Sequence, residues 1–432
     1  MNNNFRMNRW NWGLSDDKLA WAPSSFQEWT WMEIRENPFS LTLQKSYDEI
    51  GITGTLTSIL SLRDDLNAYW ITDGWYIYTI SPDGSTSTLR TDFTTWVLSA
   101  IEWDGVVYFC TDTDIFSIPS NELATWTPTD IWNLDAWWVK RMLIFKESLF
   151  LSWWTYVYQY TIDKYLSVEV VWEVVDIIPS WDYLKVFSST WNDTTVTFVE
   201  VSYWDITDIS HKESKTWKWT SIISSINKNW LEYLFSSEWI YISQWFSKDL
   251  IKRRKIEPSL TVTAIDNSIY LWSGNDVYSF WSFTKDYPEC LNKEVELNIP
   301  ITIVGSKWDL VISWWNWAMF IHNREWTTYQ NRWYIKSRVY YWSTAIDEKD
   351  AIELKVWYMP LPQNTSITIN LYANMSDVPE YSILLDEEWS MSKTLTTSFP
   401  FNFLEVEVVM ETTDWLNTPE LLDLLLYFSN TD

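Results

Sequence analysis

The stretch Asn267-Ser268-Ile269-Tyr270-Leu271-Trp272-Ser273-Gly274-Asn275-Asp276-Val277-Tyr278-Ser279-Phe280 decides the fold. Two apolar, aromatic-rich runs flank a polar Ser-Gly-Asn-Asp break, the pattern of a strand, a tight turn and a second strand. The unit recurs along the chain. Asn67-Ala68-Tyr69 leads through Asp73-Gly74 to Tyr76-Ile77-Tyr78, and Val106-Val107-Tyr108-Phe109 leads through Asp112-Thr113-Asp114 to Ile115-Phe116. Ser148-Leu149-Phe150-Leu151 leads through Trp153-Trp154 to Tyr156-Val157-Tyr158, and Leu310-Val311-Ile312 leads through Trp314-Trp315-Asn316 to Ala318-Met319-Phe320. Less regular units surround Phe198 and Tyr241. The anchors Tyr69, Tyr108, Phe150, Phe198, Tyr241, Tyr270 and Val311 lie 39, 42, 48, 43, 29 and 41 residues apart. Four-stranded propeller blades recur at about 40–45 residues. The expected fold is all-β: a β-propeller over residues 39–335 with about seven blades, or six if the 29-residue interval marks a miscounted unit. Phe39-Ser40-Leu41-Thr42-Leu43 is the expected ring-closing strand, because closure removes an exposed sheet edge.

The same comparison exposes an anomaly. Ser273-Gly274-Asn275 in one unit takes the place of Ser152-Trp153-Trp154 and Ser313-Trp314-Trp315 in two others. The chain holds 36 Trp and 8 Gly in 432 residues, whereas ordinary usage gives roughly 30 Gly at this length. Many Trp residues follow Asp, Asn or Ser in short polar breaks, as in Asp73-Gly74-Trp75 and Thr413-Asp414-Trp415. Such positions favour Gly, because the backbone often needs φ > 0 there, and a side chain in the left-handed region costs about 1–2 kcal/mol. The expectation is that most of these Trp residues are UGA codons, read as Gly in some uncultivated bacterial lineages and their phages. Trp153, Trp154, Trp314 and Trp315 should then lie at exposed hairpin turns. A real Trp-rich lectin or membrane-interface protein would instead carry Trp on strands and binding faces.

The flanks differ in texture. Residues 1–38 are a polar lead, expected to be an extended N-terminal arm. Residues 336–432 hold alternating runs such as Ala351-Ile352-Glu353-Leu354-Lys355-Val356, Ser366-Ile367-Thr368-Ile369 and Phe403-Leu404-Glu405-Val406, expected to form a β-sandwich. The run Leu421-Leu422-Asp423-Leu424-Leu425-Leu426 is read as its last strand in preference to a helix.

Composition narrows the function. The formal net charge is −27, from 31 basic and 58 acidic residues, which disfavours direct binding to nucleic acid or an anionic membrane. Lys252-Arg253-Arg254-Lys255 is a local basic run, read as a solvated strand or turn. Cys110 and Cys290 form neither a disulfide framework nor a metal motif, and His211 and His322 lack metal-ligand company. The opening residues show no signal peptide, and no apolar run is long enough for a membrane span. No phosphate loop, zinc motif or nucleophile elbow is present. Ser81-Pro82-Asp83-Gly84-Ser85-Thr86 matches a sialidase-type Asp-box turn only once and reads as a plain hairpin. Asp73, Asp112 and Asp114 are Ca²⁺-ligand types at strand–turn junctions, read as Asx-type turns. Tyr76, Tyr78, Tyr156 and Tyr158 are read as core more than site. No catalytic, cofactor-binding or metal-binding residue is assigned, no cofactor is expected, and the chain is read as a non-enzyme.

The lead Asn8-Arg9-Trp10-Asn11-Trp12-Gly13-Leu14-Ser15-Asp16-Asp17, continued by Ser25-Phe26-Gln27-Glu28-Trp29-Thr30-Trp31-Met32-Glu33-Ile34-Arg35, resembles the opening of a family of phage virion proteins. The closing pattern Leu354-Lys355-Val356-Trp357-Tyr358-Met359-Pro360-Leu361-Pro362-Gln363-Asn364, then Thr418-Pro419-Glu420-Leu421-Leu422, is similar to theirs. The resemblance implies an arm, a β-propeller and a β-sandwich. It further implies a structural component of the tail or head–tail junction, assembled in the host cytoplasm, with other virion proteins as partners and an oligomer as one arrangement. The alternatives are a cell-surface carbohydrate-binding propeller or glycosidase, and an intracellular scaffold propeller.

Overall fold

The computed structural model describes residues 3–7, 26–30, 32–33, 41–43, 49–60, 62, 67–73, 76–81, 86–90, 97–111, 114–125, 129–133, 139–161, 164–201, 209–228, 231–237, 239–253, 261–265, 268–273, 276–281, 290–296, 302–305, 310–314, 317–321, 332–337, 340, 348–387 and 391–430. Among them the chain is all-β, with a single 3-10 turn at Ser120–Glu122.

Four-stranded antiparallel sheets follow one another along the chain. The first is built from Leu56–Leu60, Ala68–Thr72, Ile77–Ile80 and Thr86–Arg90, the second from Val97–Trp103, Val106–Thr111, Asp114–Pro119 and Thr129–Asn133. The third holds Val139–Phe145, Ser148–Trp153, Tyr156–Thr161 and Lys164–Glu169, and the fourth Val174–Ser180, Tyr183–Ser189, Thr194–Val201 and Ile209–Trp217. The fifth holds Ile222–Lys228, Leu231–Ser236, Trp239–Gln244 and Ser247–Arg253, and the sixth Thr261–Ile265, Ser268–Ser273, Asp276–Trp281 and Cys290–Glu296. A seventh joins Thr302–Gly305, Leu310–Trp314 and Trp317–Ile321 to the distant strand Glu49–Gly51. The first strand of each sheet packs on the first strand of the next, and Thr302–Gly305 packs back on Leu56–Leu60. This is a propeller-like arrangement.

The sequence explains the layering. A sheet covered on both faces needs apolar or satisfied residues on both sides of its middle strands. Accordingly Val106–Thr111 and Tyr183–Ser189 are buried on nearly every residue, while the outer strand Ile209–Trp217 is largely exposed. The first strands of the first five sheets share a register shift, between Leu56 and Ser58, Val97 and Ser99, Val139 and Arg141, Val174 and Asp176, and Ile222 and Ser224. A bulge adds local twist, and here the same irregularity recurs near the start of the first strand in each of these five sheets.

The register corrects three expectations. The strand joining the seventh sheet is Glu49–Gly51, not Phe39 to Leu43; Thr42–Leu43 instead pairs with Met32–Glu33. Phe198 and Tyr241 lie on third strands, whereas Tyr69, Tyr108, Phe150, Tyr270 and Val311 lie on second strands. Second and third strands are both apolar on alternate residues, so alternation cannot tell them apart, and the short interval before Tyr270 arises from that shift. The lead of residues 1–38, expected as an arm, contributes paired strands: Asn3–Met7 lies along Leu421–Asn430, and Phe26–Thr30 along Arg332–Ser337.

The C-terminal region has two sheets. One orders Asn3–Met7, Leu421–Asn430, Lys349–Tyr358 and Ser392–Phe401; the other orders Phe26–Thr30, Arg332–Ser337, Leu404–Thr412, Thr365–Ala373 and Tyr381–Leu385. Leu354, Val356, Leu424 and Leu426 of the first share one apolar core with Ile367, Ile369, Val406 and Val408 of the second. Arg332–Ser337 thus belongs to this region, ahead of the expected boundary at residue 336.

Between the fourth and fifth sheets lies a buried ion pair. Lys185 Nζ donates to Glu232 and to Ser243 Oγ at 2.7 Å, while Ser180 Oγ donates to Glu232 Oε1 at 2.7 Å. The rings of Phe187 and Phe198 lie 5.5 and 5.6 Å from the ammonium. Burial pushes the Lys185 pKa down, against the upward pull of Glu232. Removing one member strands the other charge away from water. Lys185→Met is expected to cost about 3–5 kcal/mol in urea unfolding, and the double variant Lys185→Met/Glu232→Leu is expected to recover more than half of it.

Candidate interaction surfaces

The polar residues on the first strands act as joints between sheets. Asp176, just past its bulge, accepts from Arg141 Nη1 at 2.7 Å and from Ile177 N at 2.9 Å on Oδ1. Its Oδ2 accepts from Ser225 N at 2.6 Å, Ser225 Oγ at 2.9 Å and Ser224 Oγ at 3.3 Å. Arg141 also donates to Ser225 O at 3.0 Å. One carboxylate therefore ties together the first strands of the third, fourth and fifth sheets. Ser58, at the equivalent place in the first sheet, accepts from Ala100 N of the second at 2.7 Å. Five donors on one carboxylate leave little capacity for a substrate, so the arrangement is that of a joint.

Turns between second and third strands tie down a chain entering a first strand, that of the same sheet at Asp73 and that of the next sheet at Asp193. Asp73 Oδ1 accepts from Thr55 N at 2.6 Å. Asp193, in the corresponding turn of the fourth sheet, accepts from Trp219 N at 3.0 Å and Lys218 Nζ at 2.7 Å, which holds its carboxyl below the usual range. Asp73, read from the sequence as an Asx-type turn, instead reaches with its carboxylate a strand lead-in 18 residues away in sequence. Asp114 opens a strand, its N–H donating to Thr111 Oγ1 at 3.0 Å, and Asp112 lies outside the described residues. Among the described residues no group of three or more His, Cys, Asp or Glu could hold a metal. Tyr78 is buried and its hydroxyl accepts from Thr53 N at 2.8 Å. Tyr76 stacks beside it at 6.0 Å, while Tyr156 and Tyr158 are half-buried next to Trp153. Burial pushes the Tyr158 hydroxyl pKa up. Cys110 is buried, and the side chains of His211, Cys290 and His322 lie outside the described ones.

The turns themselves carry the anomaly found in the sequence. Eleven described non-glycine residues have positive φ, and five of them are Trp: Trp154, Trp181, Trp219, Trp245 and Trp415, at 50–62°. Three open two-residue hairpins, Trp154-Thr155 between Trp153 and Tyr156, Trp181-Asp182 between Ser180 and Tyr183, and Trp245-Phe246 between Gln244 and Ser247. In each, only the first central residue has positive φ, the type II′ pattern in which that position belongs to Gly. Trp181, Trp191 and Trp219 are 81%, 97% and 86% exposed, so their indoles gain little by packing. Of the four Trp expected at exposed turns, Trp154 is at a tip. Trp153 and Trp314 are instead the last paired residues of their strands, because the two-residue loop begins one position later, and Trp315 lies outside the described residues. Other Trp residues belong to the interior: Trp70 is fully buried, and Trp217 donates Nε1–H to Phe246 O at 3.1 Å.

A cleft of about 580 Å³ opens between the first and second sheets. Its apolar side comes from Leu62, Tyr69, Leu89 and Leu123, and its charged side from Glu102 and Asp104. Asp104-Gly105 is the two-residue hairpin of the second sheet, with φ of 50° and 75°. Glu102 Oε1 accepts from Gly105 N at 3.0 Å, and Gly105 O accepts from Ser120 N at 2.8 Å. These bonds fix the acidic rim against the 3-10 turn. Sequence reading missed this cleft, since its walls come from separate repeat units and no single stretch carries a motif.

No protein-family model and no curated protein matches the chain. Solved structures similar in fold include the extracellular domain of the one-component system BT4673 from B. thetaiotaomicron, at 12% identity and a TM-score of 0.46, covering 77% of this chain and 44% of that one. PorZ of the type-IX secretion system of Porphyromonas gingivalis matches at 10% identity and 0.45, over 70% and 44%. The AfRom2 CNH domain matches at 10% and 0.43, over 63% and 99%. The chain spans less than half the length of the first two.

Trp181→Gly and Trp219→Gly are each expected to stabilise the protein by about 1 kcal/mol, through relief of left-handed strain. Urea midpoints measure it. A loss of stability in both would mean that the indoles contribute contacts exceeding the strain.

Proposed function

We propose that this chain is a non-enzymatic structural protein of a phage virion, whose gene is read with UGA as glycine. In this reading the seven sheets are the blades of a seven-bladed propeller closed by Glu49–Gly51, and the C-terminal sheets form a β-sandwich stitched by the N-terminal lead. The observation that carries the proposal is the set of five Trp residues at positive φ. Recoded UGA occurs in particular bacterial lineages and their phages, and the lead and closing patterns of this chain resemble those of phage virion proteins. The polar chemistry is consistent with a rigid platform. Asp176, Lys185 and Glu232 spend their hydrogen-bonding capacity holding sheets together. The charge of −27 favours partners with basic surfaces over the genome itself. Other virion proteins would be the partners, with assembly in the host cytoplasm.

A second reading is favoured by the exposure of Trp191 and Trp219. If those indoles are genuine, each exposes a face suited to stacking on sugars, and a carbohydrate-binding propeller follows. The two readings separate by particle composition. The virion reading expects the protein among the components of purified particles, and its gene beside portal, capsid or tail genes. Absence from particles, together with glycan binding that is lost in Trp191→Ala/Trp219→Ala, would establish the second reading instead.

A further inference from the structure

We infer that the cleft between the first and second sheets is a docking site for a partner segment that places a large apolar side chain next to Lys or Arg. The inference rests on the reading of the chain as a protein–protein platform and names the chemistry of one partner. Two features point to it. Leu62 and Leu123 are buried at 7% and 3% exposure and belong to the core between the two sheets, while Tyr69 and Leu89 pack on that core. The floor is therefore continuous with the protein interior, where an apolar anchor gains most from leaving water. Asp104 is exposed and Glu102 half-buried, and among the described lining residues every charged side chain is acidic. An anchor seated on the floor brings its flanking residues to this rim, where a cation meets two carboxylates. The volume of about 580 Å³ lies within the range of ligand sites, ~300–1,000 Å³, and exceeds what a single side chain fills.

The rim is held by the backbone more than by its own side chains. Asp104 and Gly105 adopt a two-residue turn with both φ positive, the type I′ geometry in which Asp-Gly is favoured. Glu102 Oε1 is anchored on Gly105 N. The acids are therefore presented in a fixed place, which lowers the ordering cost of binding.

The test uses the full chain with three dye-labelled peptides, acetyl-Lys-Phe-Lys-amide, acetyl-Ser-Phe-Ser-amide and acetyl-Glu-Phe-Glu-amide, followed by fluorescence anisotropy at low and high salt. The basic peptide is expected to bind best. Its affinity should fall about tenfold in Glu102→Gln/Asp104→Asn, and should weaken with salt as screening shortens the reach of the rim. Asn tolerates the left-handed backbone at position 104, and an unchanged thermal transition verifies folding. Leu123→Ala should weaken the basic and neutral peptides alike. Equal binding of all three peptides, no binding, or indifference to the double variant overturns the assignment, as does saturable binding of a neutral oligosaccharide to the same residues. Presence of the protein in particles with no peptide binding would overturn the cleft alone and leave the platform reading standing.

Discussion

A two-residue hairpin in a right-twisted sheet needs positive φ at its first central residue, and the rest of this architecture depends on that constraint. Each repeat sheet turns from first to second strand in two residues where the turn is described: Asp104-Gly105, Lys146-Glu147 and Trp181-Asp182 occupy the same place in the second, third and fourth sheets. Asp104, Lys146, Glu147 and Trp181 all have φ of 46–58°. A one-residue slip at such a turn would move every side chain of the following strand to the opposite face. Burial of Tyr183–Ser189 and Val106–Thr111 between neighbouring sheets therefore rests on these tight turns. The chemistry at the turns ranges from Asp-Gly, which suits the geometry, to Trp-Asp, which opposes it.

That conflict gives the exposed Trp residues their meaning. In a consistent sequence, local preference and global fold agree. Here they disagree at Trp154, Trp181, Trp219, Trp245 and Trp415, and also at Lys146, Glu147 and Met375, whereas Asp104, Asn364 and Asn374 suit the left-handed region they share. The interior Trp residues behave differently. Trp217 makes a hydrogen bond and lies among the rings around Lys185. Exposure alone does not mark the turn tryptophans, since Trp191 is 97% exposed without a positive φ, and the proposed glycine reading addresses the five at positive φ.

Much of the architecture was readable from residue order, for a physical reason. Alternating aromatic strands separated by Asp, Asn, Ser and Gly breaks report hairpins directly. The alternating runs from Ala351, Ser366 and Phe403 and the apolar run from Leu421 fall on strands, whereas Tyr381–Leu385 and Ser392–Phe401 are not marked by the residue order. Pairings between distant segments were not readable. Glu49–Gly51 joins Trp317–Ile321 through only three residue pairs, and Asn3–Met7 reaches Leu421–Asn430 across the entire chain. The polar joints were hidden for the same reason. Lys185 and Glu232 stand 47 positions apart, and Arg141 and Asp176 stand 35 apart. Nothing in either neighbourhood marks these charges as buried partners, because a charge on a strand reads as solvent-facing until the next sheet covers it. The cleft beside Glu102 and Asp104 became visible only once two repeat units were set side by side.

The most direct test of the central claim is tandem mass spectrometry of the protein from its native source, covering the peptides that span positions 154, 181, 219, 245 and 415. The account predicts glycine at all five and a genuine tryptophan at position 217. Tryptophan at the five turn positions would contradict it, and with it the assignment of this chain to a phage of a recoding host.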